Sequence, residues 1–276
     1  MEGIVQMENP SYAAELFAGW EETLIWSCLQ GVMGHVYGDH PQHPASAAAI
    51  LGDFCFLAGK PSEALTTFKP ESSKQDFIIM IPQSEAWGRL IESCWREKAK
   101  KTIRYAMKKN PQAFDKERLK KIVSGLQDGY EVKPIDKELF QQCKAMEWSR
   151  DQVGLYQSYE EYKKLGLGFA ILKNGKVVSG ASSYSSYKEG IEIQIDTEKD
   201  HRRKGLARVC GAALILECLK RGIYPSWDAQ NPESAALAGQ LGYQLDYSYT
   251  AYDICGYERC LYHVSGYGKL NLVIGE

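Results

Sequence analysis

The chain has 276 residues and a formal net charge of −2; it is 44% hydrophobic and 25% charged. This is the ordinary globular mix, enough for one large domain or two modest ones with buried cores. The charge balance argues against a general nucleic-acid binder, and no apolar run approaches the roughly 20 residues that cross a bilayer.

The N-terminus, "MEGIVQMENPSYAAELFAGW", has no charged region followed by a long apolar stretch, so no secretory leader is expected. The eight cysteines form no CxxC pair, and several lie inside apolar runs. They are expected to be buried free thiols in a reducing compartment, which predicts a cytoplasmic protein.

In chain order, strands are expected in "GHVYGD", "AAAILGDFCFLAG" and "DFIIMI", then a helix "SEAWGRLIESCW" and a strand "KTIRYAM". His35, Asp39, His40 and His43 share a loop whose spacing fits no metal-ligand pattern, and no metal is expected. The basic stretch 96–121 is expected to be a solvated helical linker rather than a nucleic-acid surface. Breaks at Gly125 and Gly129 place a domain boundary near 125, giving an N-terminal α/β domain 1–125 and a second domain 126–276.

Beyond the boundary the order is β-α-α-β-β-β-α-β-α-β. "YEVKPID" alternates as a strand; "KELFQQCKAMEWSRDQVG" has helical spacing, and "SYEEYKKLG" is a second helix with Ser158 as N-cap. Three strands follow, with Asn174-Gly175 as the first hairpin turn. A long apolar helix starts at 205, then come a strand "IYPSWDAQ", a helix opened by Pro232, and a strand "YQLDYSYTAYDI". This predicts a mixed α/β (α+β) domain with a mostly antiparallel sheet flanked by helices. The segment "FIIMIPQSEAWGRLIESCW" weakly echoes "IYPSWDAQNPESAALAGQLGY", which leaves a degenerate internal duplication open.

"DTEKDHRRKGLARVCG" packs Arg202, Arg203 and Lys204 before Gly205 and the long helix. Unpaired N–H groups at a helix start, the helix dipole and these cations together make an anion cradle, though a solvated basic turn is the alternative. Arg202-x-x-Gly205-x-Ala207, between a strand and a helix, is similar to the phosphate loop of GNAT-type N-acetyltransferases. Residues 130–254 resemble that fold. Within it, "HRRKGLA" and "YPSWDAQN" resemble the group containing the zwittermicin A resistance acetyltransferases.

The resemblance implies an acetyl-CoA-dependent enzyme that transfers acetyl directly to a primary amine of a small molecule. A non-catalytic acyl-CoA sensor of the same fold is the alternative. By the same resemblance the N-terminal domain is a degenerate GNAT-like unit. The backbones of Ile195, Asp196 and Thr197 would hold pantetheine, Arg202, Arg203, Lys204, Gly205, Leu206 and Ala207 the pyrophosphate, and Asn231 the cofactor arm. Pro225, which cannot donate to a ladder, suits a strand splayed away to admit that arm. Five tyrosines (156, 159, 162, 184 and 187) are placed near the acceptor site.

For the chemistry, Glu192, Gln194 and Asp196 share one strand face, and Glu192 is the expected base because burial raises a carboxyl pKa toward neutrality. Asp196 is a further candidate, more readily a loop-stabilising residue, and Asp228 after Trp227 is a second-rank candidate. The position where the family places a tyrosine acid is Ala238, so Ser234, one of Tyr243, Tyr249 and Tyr252, or a water is expected to serve instead. The tail "KLNLVI" is a candidate edge strand for a homodimer.

Overall fold

A computed structural model describes residues 3–257. The N-terminal half contains β1 (Val5–Gln6), α1 (Thr23–Leu29), β2 (His35–Gly38), β3 (Ser46–Leu51), β4 (Phe54–Gly59), α2 (Glu63–Thr66), β5 (Phe77–Pro82), α3 (Glu85–Trp95), β6 (Ala99–Met107) and α4 (Lys116–Ser124). The C-terminal half contains β7 (Glu131–Pro134), α5 (Lys137–Ala145), α6 (Tyr159–Leu165), β8 (Gly168–Lys173), β9 (Lys176–Tyr187), β10 (Gly190–Thr197), α7 (Leu206–Arg221), β11 (Tyr224–Ser226), β12 (Asp228–Ala229), α8 (Pro232–Leu241) and β13 (Leu245–Cys255).

The strands make two sheets. One has the order β1-β2-β3-β4-β5-β13-β6-β12, the other β11-β10-β9-β8-β7. A cut at residue 125 does not separate the strands. β13, the last described strand, pairs with β5 and β6, and β12 pairs with β6. The large sheet therefore draws on both halves of the chain.

Local sequence explains most elements. Asn174 (φ 51°) and Gly175 (φ 76°) make the left-handed pair of a tight hairpin between β8 and β9. Ser84 and Ser158 cap α3 and α6 by accepting from Trp87 N and Glu161 N. In the large sheet Ala47, Ala49 and Leu51 face one core, with α1, while Ala48 joins Trp87, Ile91 and Trp95 of α3 in the other. Period-2 alternation thus buries both faces. In the second sheet Ile171, Ala181, Ile191 and Ile193 pack with Leu206, Leu214 and Ile215 of α7. Each such fully buried aliphatic side chain contributes about 1.5–3 kcal/mol.

Three local expectations change. "AAAILGDFCFLAG" is two strands, β3 and β4, folded back at Gly52 (φ 59°) and Asp53. The helix from Lys137 ends at Ala145 and continues as a 3-10 turn, Glu147–Gln152. The basic stretch 96–121 is no helical linker: Ala99–Met107 is β6, inside the large sheet, and α4 packs on α7 through buried Leu119. Its cations project from ordered elements. Cys28, Cys55, Cys143, Cys210 and Cys218 are buried as expected, but Cys255 is exposed. The tail strand "KLNLVI" lies outside the described residues.

Candidate active site

The second sheet opens at one place. β10 pairs in parallel with β11 only over Gly190–Glu192 and Tyr224–Ser226. Then the chain turns at Trp227, and Asp228–Ala229 continues as β12, antiparallel to β6 of the large sheet. Beyond Glu192, no strand pairs with that edge of β10 among the described residues. Pro225 sits opposite Ile191 in the short paired part, and its carbonyl accepts from Tyr243 Oη at 2.5 Å. The result is a V between β10 and β12, with a carboxylate at its apex and a basic loop at its mouth.

The apex carboxylate is Glu192, which is 6% exposed. Thr23 Oγ1 donates to its Oε2, and Asp228 N donates to its Oε1 at 2.7 Å. Burial raises its pKa above the usual carboxylate value, opposed by the Thr23 hydrogen bond. Glu192 lines a cavity of about 40 Å3 with Glu22, Arg104, Asp228, Tyr184 and Tyr249. Asp228 is held by Arg104 (2.6 Å) and by Tyr249 Oη (2.8 Å), and Arg104 also stacks over the Phe54 ring at 4.9 Å. Glu22, 4% exposed, accepts from Tyr247 Oη at 3.2 Å; burial first, then Asp228, raises its pKa to about 8.

Gln194 follows Glu192 on the same cavity wall. Its Nε2 donates to Asp196 Oδ2 at 2.7 Å, so the expected common face of 192, 194 and 196 holds. The register shift in this pair of strands falls on β9, where Ser185 and Ser183 oppose Glu192 and Ile193 and Tyr184 is the extra residue. The bulge turns Tyr184 to the cavity without changing the face of β10. Burial raises the Asp196 pKa, but its carboxylate is bonded to Gln194 and stands outside the cavity wall. It braces the strand rather than reaching the apex.

At the mouth, Arg203 (φ 60°) and Gly205 (φ 77°) turn the loop into α7. Gly205 is the N-cap, and a Cβ there would meet open space. Glycine is therefore required by the left-handed backbone, which costs an L-residue about 1–2 kcal/mol. Leu206 is buried and pins the helix start, Ala207 is half-buried, and Arg203 is exposed. Arg202 Nε and Lys204 Nζ donate to Thr197 O (3.1 Å) and Asp200 O (2.9 Å), so both stiffen the loop. Thr197 Oγ1 bonds Ser179 Oγ at 2.8 Å, and the Ile195 side chain packs towards α7. Lys204 and Gly205 border a cavity of about 340 Å3 that is also lined by Arg118 and Lys121 of α4 and Arg208 of α7. The half-exposed basic stretch thus supplies a wall of the cradle, a role its sequence did not suggest.

Several candidates are committed elsewhere. Asn231 Oδ1 caps α8 by accepting from Ser234 N at 2.8 Å, and Ser234 Oγ accepts from Trp227 Nε1 at 3.1 Å. Ala238 is fully buried in the apolar core. Tyr243 is tied to Pro225, and Tyr252 to Glu92 of α3. Tyr156 and Tyr162 bond serines of β9 inside the core. Of the five tyrosines expected near the acceptor, only Tyr184 lines the apex cavity, and of the four candidate acids only Tyr249 does. Glu22, Thr23 and Arg104 were not foreseen; each comes from the N-terminal half, far from the motif in sequence.

The GNAT acetyltransferase family profile matches residues 14–252. An uncharacterized N-acetyltransferase, YdfB of Bacillus subtilis (strain 168), is 28% identical over 247 residues, covering 83% of this chain and 89% of that protein. The crystal structure of a GCN5-related N-acetyltransferase-like protein from Streptococcus suis 89/1591 superposes with a TM-score of 0.84 at 47% identity, over 90% of this chain and 98% of that one. A tandem GNAT protein from the clavulanic acid biosynthesis pathway shares the fold at 9% identity (TM-score 0.54, 92% and 98% coverage). With matches spanning nearly the whole described chain, and with the V, glycine loop and carboxylate all within them, the chain belongs to the GNAT acetyltransferase family.

Proposed function

We propose that this protein transfers acetyl from acetyl-CoA to a primary amine of a small molecule, directly within a ternary complex. The opening of β10 from β11 at Glu192 is the observation that carries the reading. Backbone groups of Ile195 to Thr197 on the edge that no described strand pairs would meet the pantetheine arm. The Arg203–Ala207 backbone and the cations of α4 and α7 would take the phosphates at the other end. Acetyl-CoA supplies an activated carbonyl carbon. The chain belongs to an enzyme family, and its own residues must handle two protons.

Glu192 takes the first. An ammonium entering the apex loses a proton to it, and the neutral nitrogen forms the C–N bond as the C–S bond breaks toward sulfur. The nitrogen's second proton goes to the sulfur, and Tyr249, which lines the cavity, would relay it through its hydroxyl. Its pKa is held well above the usual tyrosine value, by burial first and then by Asp228, so it remains protonated. A thiolate is a fair leaving group, so the alanine at 238 does not bar the reaction.

The same reading takes the chain as two GNAT-like halves of which the second holds the cofactor, and as a cytoplasmic protein; the likeness to zwittermicin A resistance enzymes suggests an antibiotic-like acceptor. Homodimerisation through the tail remains part of the proposal. CoA release with a panel of primary amines tests it. Glu192→Gln should lower kcat by about 10²–10⁴ while leaving acetyl-CoA affinity within twofold. Acetyl-CoA binding with no turnover on any amine would instead mark a non-catalytic acyl-CoA binder.

A further inference from the structure

Four charged side chains line the apex cavity: Glu22, Arg104, Glu192 and Asp228. Arg104 and Asp228 bond each other, with side chains about one-tenth exposed, and cancel. Two buried carboxyls, Glu22 and Glu192, remain against Phe54, Phe56, Leu24 and Tyr184. Such a space disfavours anions and accepts an alkyl chain ending in a cation. Strand register also sets Ser185 directly across from Glu192, on the same face. Ser185 is fully buried, and its hydroxyl has no partner among the described residues, so one hydrogen-bonding position beside Glu192 is unused by the protein.

We propose that Glu22, supplied by the N-terminal half, is a specificity-determining carboxylate of the acetyl-transfer site, and that the acceptor is a primary alkylamine bound as its ammonium between Glu22 and Glu192. The inference rests on the reading of this cavity as the acceptor end. The two carboxyls divide the work. Glu192, at the apex of the V, takes the proton, and Glu22 holds the nitrogen beside it. Selectivity follows, because an acceptor without a positive charge leaves the buried Glu22 carboxyl with only the Tyr247 hydroxyl as partner among the described residues.

The charged and titratable groups facing Glu22 are Asp228 of β12, Glu192 of β10, Tyr247 and Tyr249 of β13 and Lys109 just after β6, with Arg104 of β6 and Tyr184 of β9 across the cavity. A carboxyl whose folded pKa is raised by these surroundings binds its proton more tightly when folded. The resulting stability is fully present below the ordinary value of 4.5 and is lost as pH rises towards about 8. Glu22→Gln removes that loss. A carboxyl retained only for structure would make the variant less stable throughout.

The test compares wild type and Glu22→Gln, each saturated with acetyl-CoA analogue (a non-hydrolysable thioether), titrated with n-butylammonium and with n-butanol as the uncharged shape match. The expected result is that wild type binds n-butylammonium in preference to n-butanol. Glu22→Gln should weaken the ammonium about tenfold or more, leave n-butanol and the analogue unchanged, and gain stability over wild type between pH 4.5 and 8. Equal n-butylammonium affinity in the two proteins, or no preference for it in wild type, would overturn the proposal. Failure of the analogue to bind wild type would instead overturn the cofactor reading beneath it.

Discussion

Each half of the molecule contains a parallel strand pair joined by a crossover, and the two have opposite fates. In the N-terminal half β4 pairs with β5 from Phe54–Ile79 to Leu57–Pro82. Its crossover holds only the four-residue helix α2. Where these strands would part, the protein fills the gap itself. Gln83 N donates to Leu57 O, Gln83 Oε1 accepts from Gly59 N at 2.9 Å, Gln83 Nε2 donates to Leu16 O, and Trp87 Nε1 donates to Gly59 O at 2.9 Å. In the C-terminal half β10 and β11 part after Glu192, the crossover is the 16-residue helix α7, and Gly205 opens its start. The second pair opens because its second strand is pulled elsewhere. Here β6 does the pulling, by pairing with Asp228–Ala229.

The largest effect should come from releasing that pull. Arg104 of β6 and Asp228 of β12 form the buried pair that ties the diverging strand to the large sheet. Arg104→Met leaves Asp228 buried without its partner and should cost about 3–5 kcal/mol, measured by denaturant unfolding. A loss under 1 kcal/mol would mean that the pair does not hold the V open. Gly205→Ala acts at the open mouth: a left-handed backbone carrying a Cβ should lose about 1–2 kcal/mol, partly in folding and partly as up to about tenfold weaker CoA binding. Gln83→Ala probes the closed pair. It removes part-exposed hydrogen bonds to Gly59 and Leu16 and should cost about 0.5–1.5 kcal/mol without creating a second CoA site, as read by the titration stoichiometry.

The sequence carried the local half of this comparison. Asn174-Gly175 specified a hairpin, the alternation of Glu192, Gln194 and Asp196 specified a face, and Arg202-x-x-Gly205 specified a turn into a helix, because each signal lies within a few residues. Pro225 foretold a strand that leaves its ladder. What could not be read was where that strand goes. The pairing of Asp228 with Ala106 and of Tyr252 with both Met80 and Lys101 joins residues more than a hundred positions apart, and no periodicity encodes such partners. Glu22 and Arg104 were missed for the same reason, since a lone glutamate before a short helix and an arginine in a basic strand look like solvated charges. Asn231 shows the reverse case: it precedes Pro232 at a helix start, and capping that helix is what its side chain does.

The most direct measurement is amide hydrogen exchange with and without acetyl-CoA. The two strand pairs have different accessible edges, so binding should slow exchange over residues 193–197 and 203–207 and leave residues 57–62 and 82–87 unchanged. Protection of the β4–β5 segment, or none along β10 and the start of α7, would contradict the assignment of the cofactor to the open pair alone.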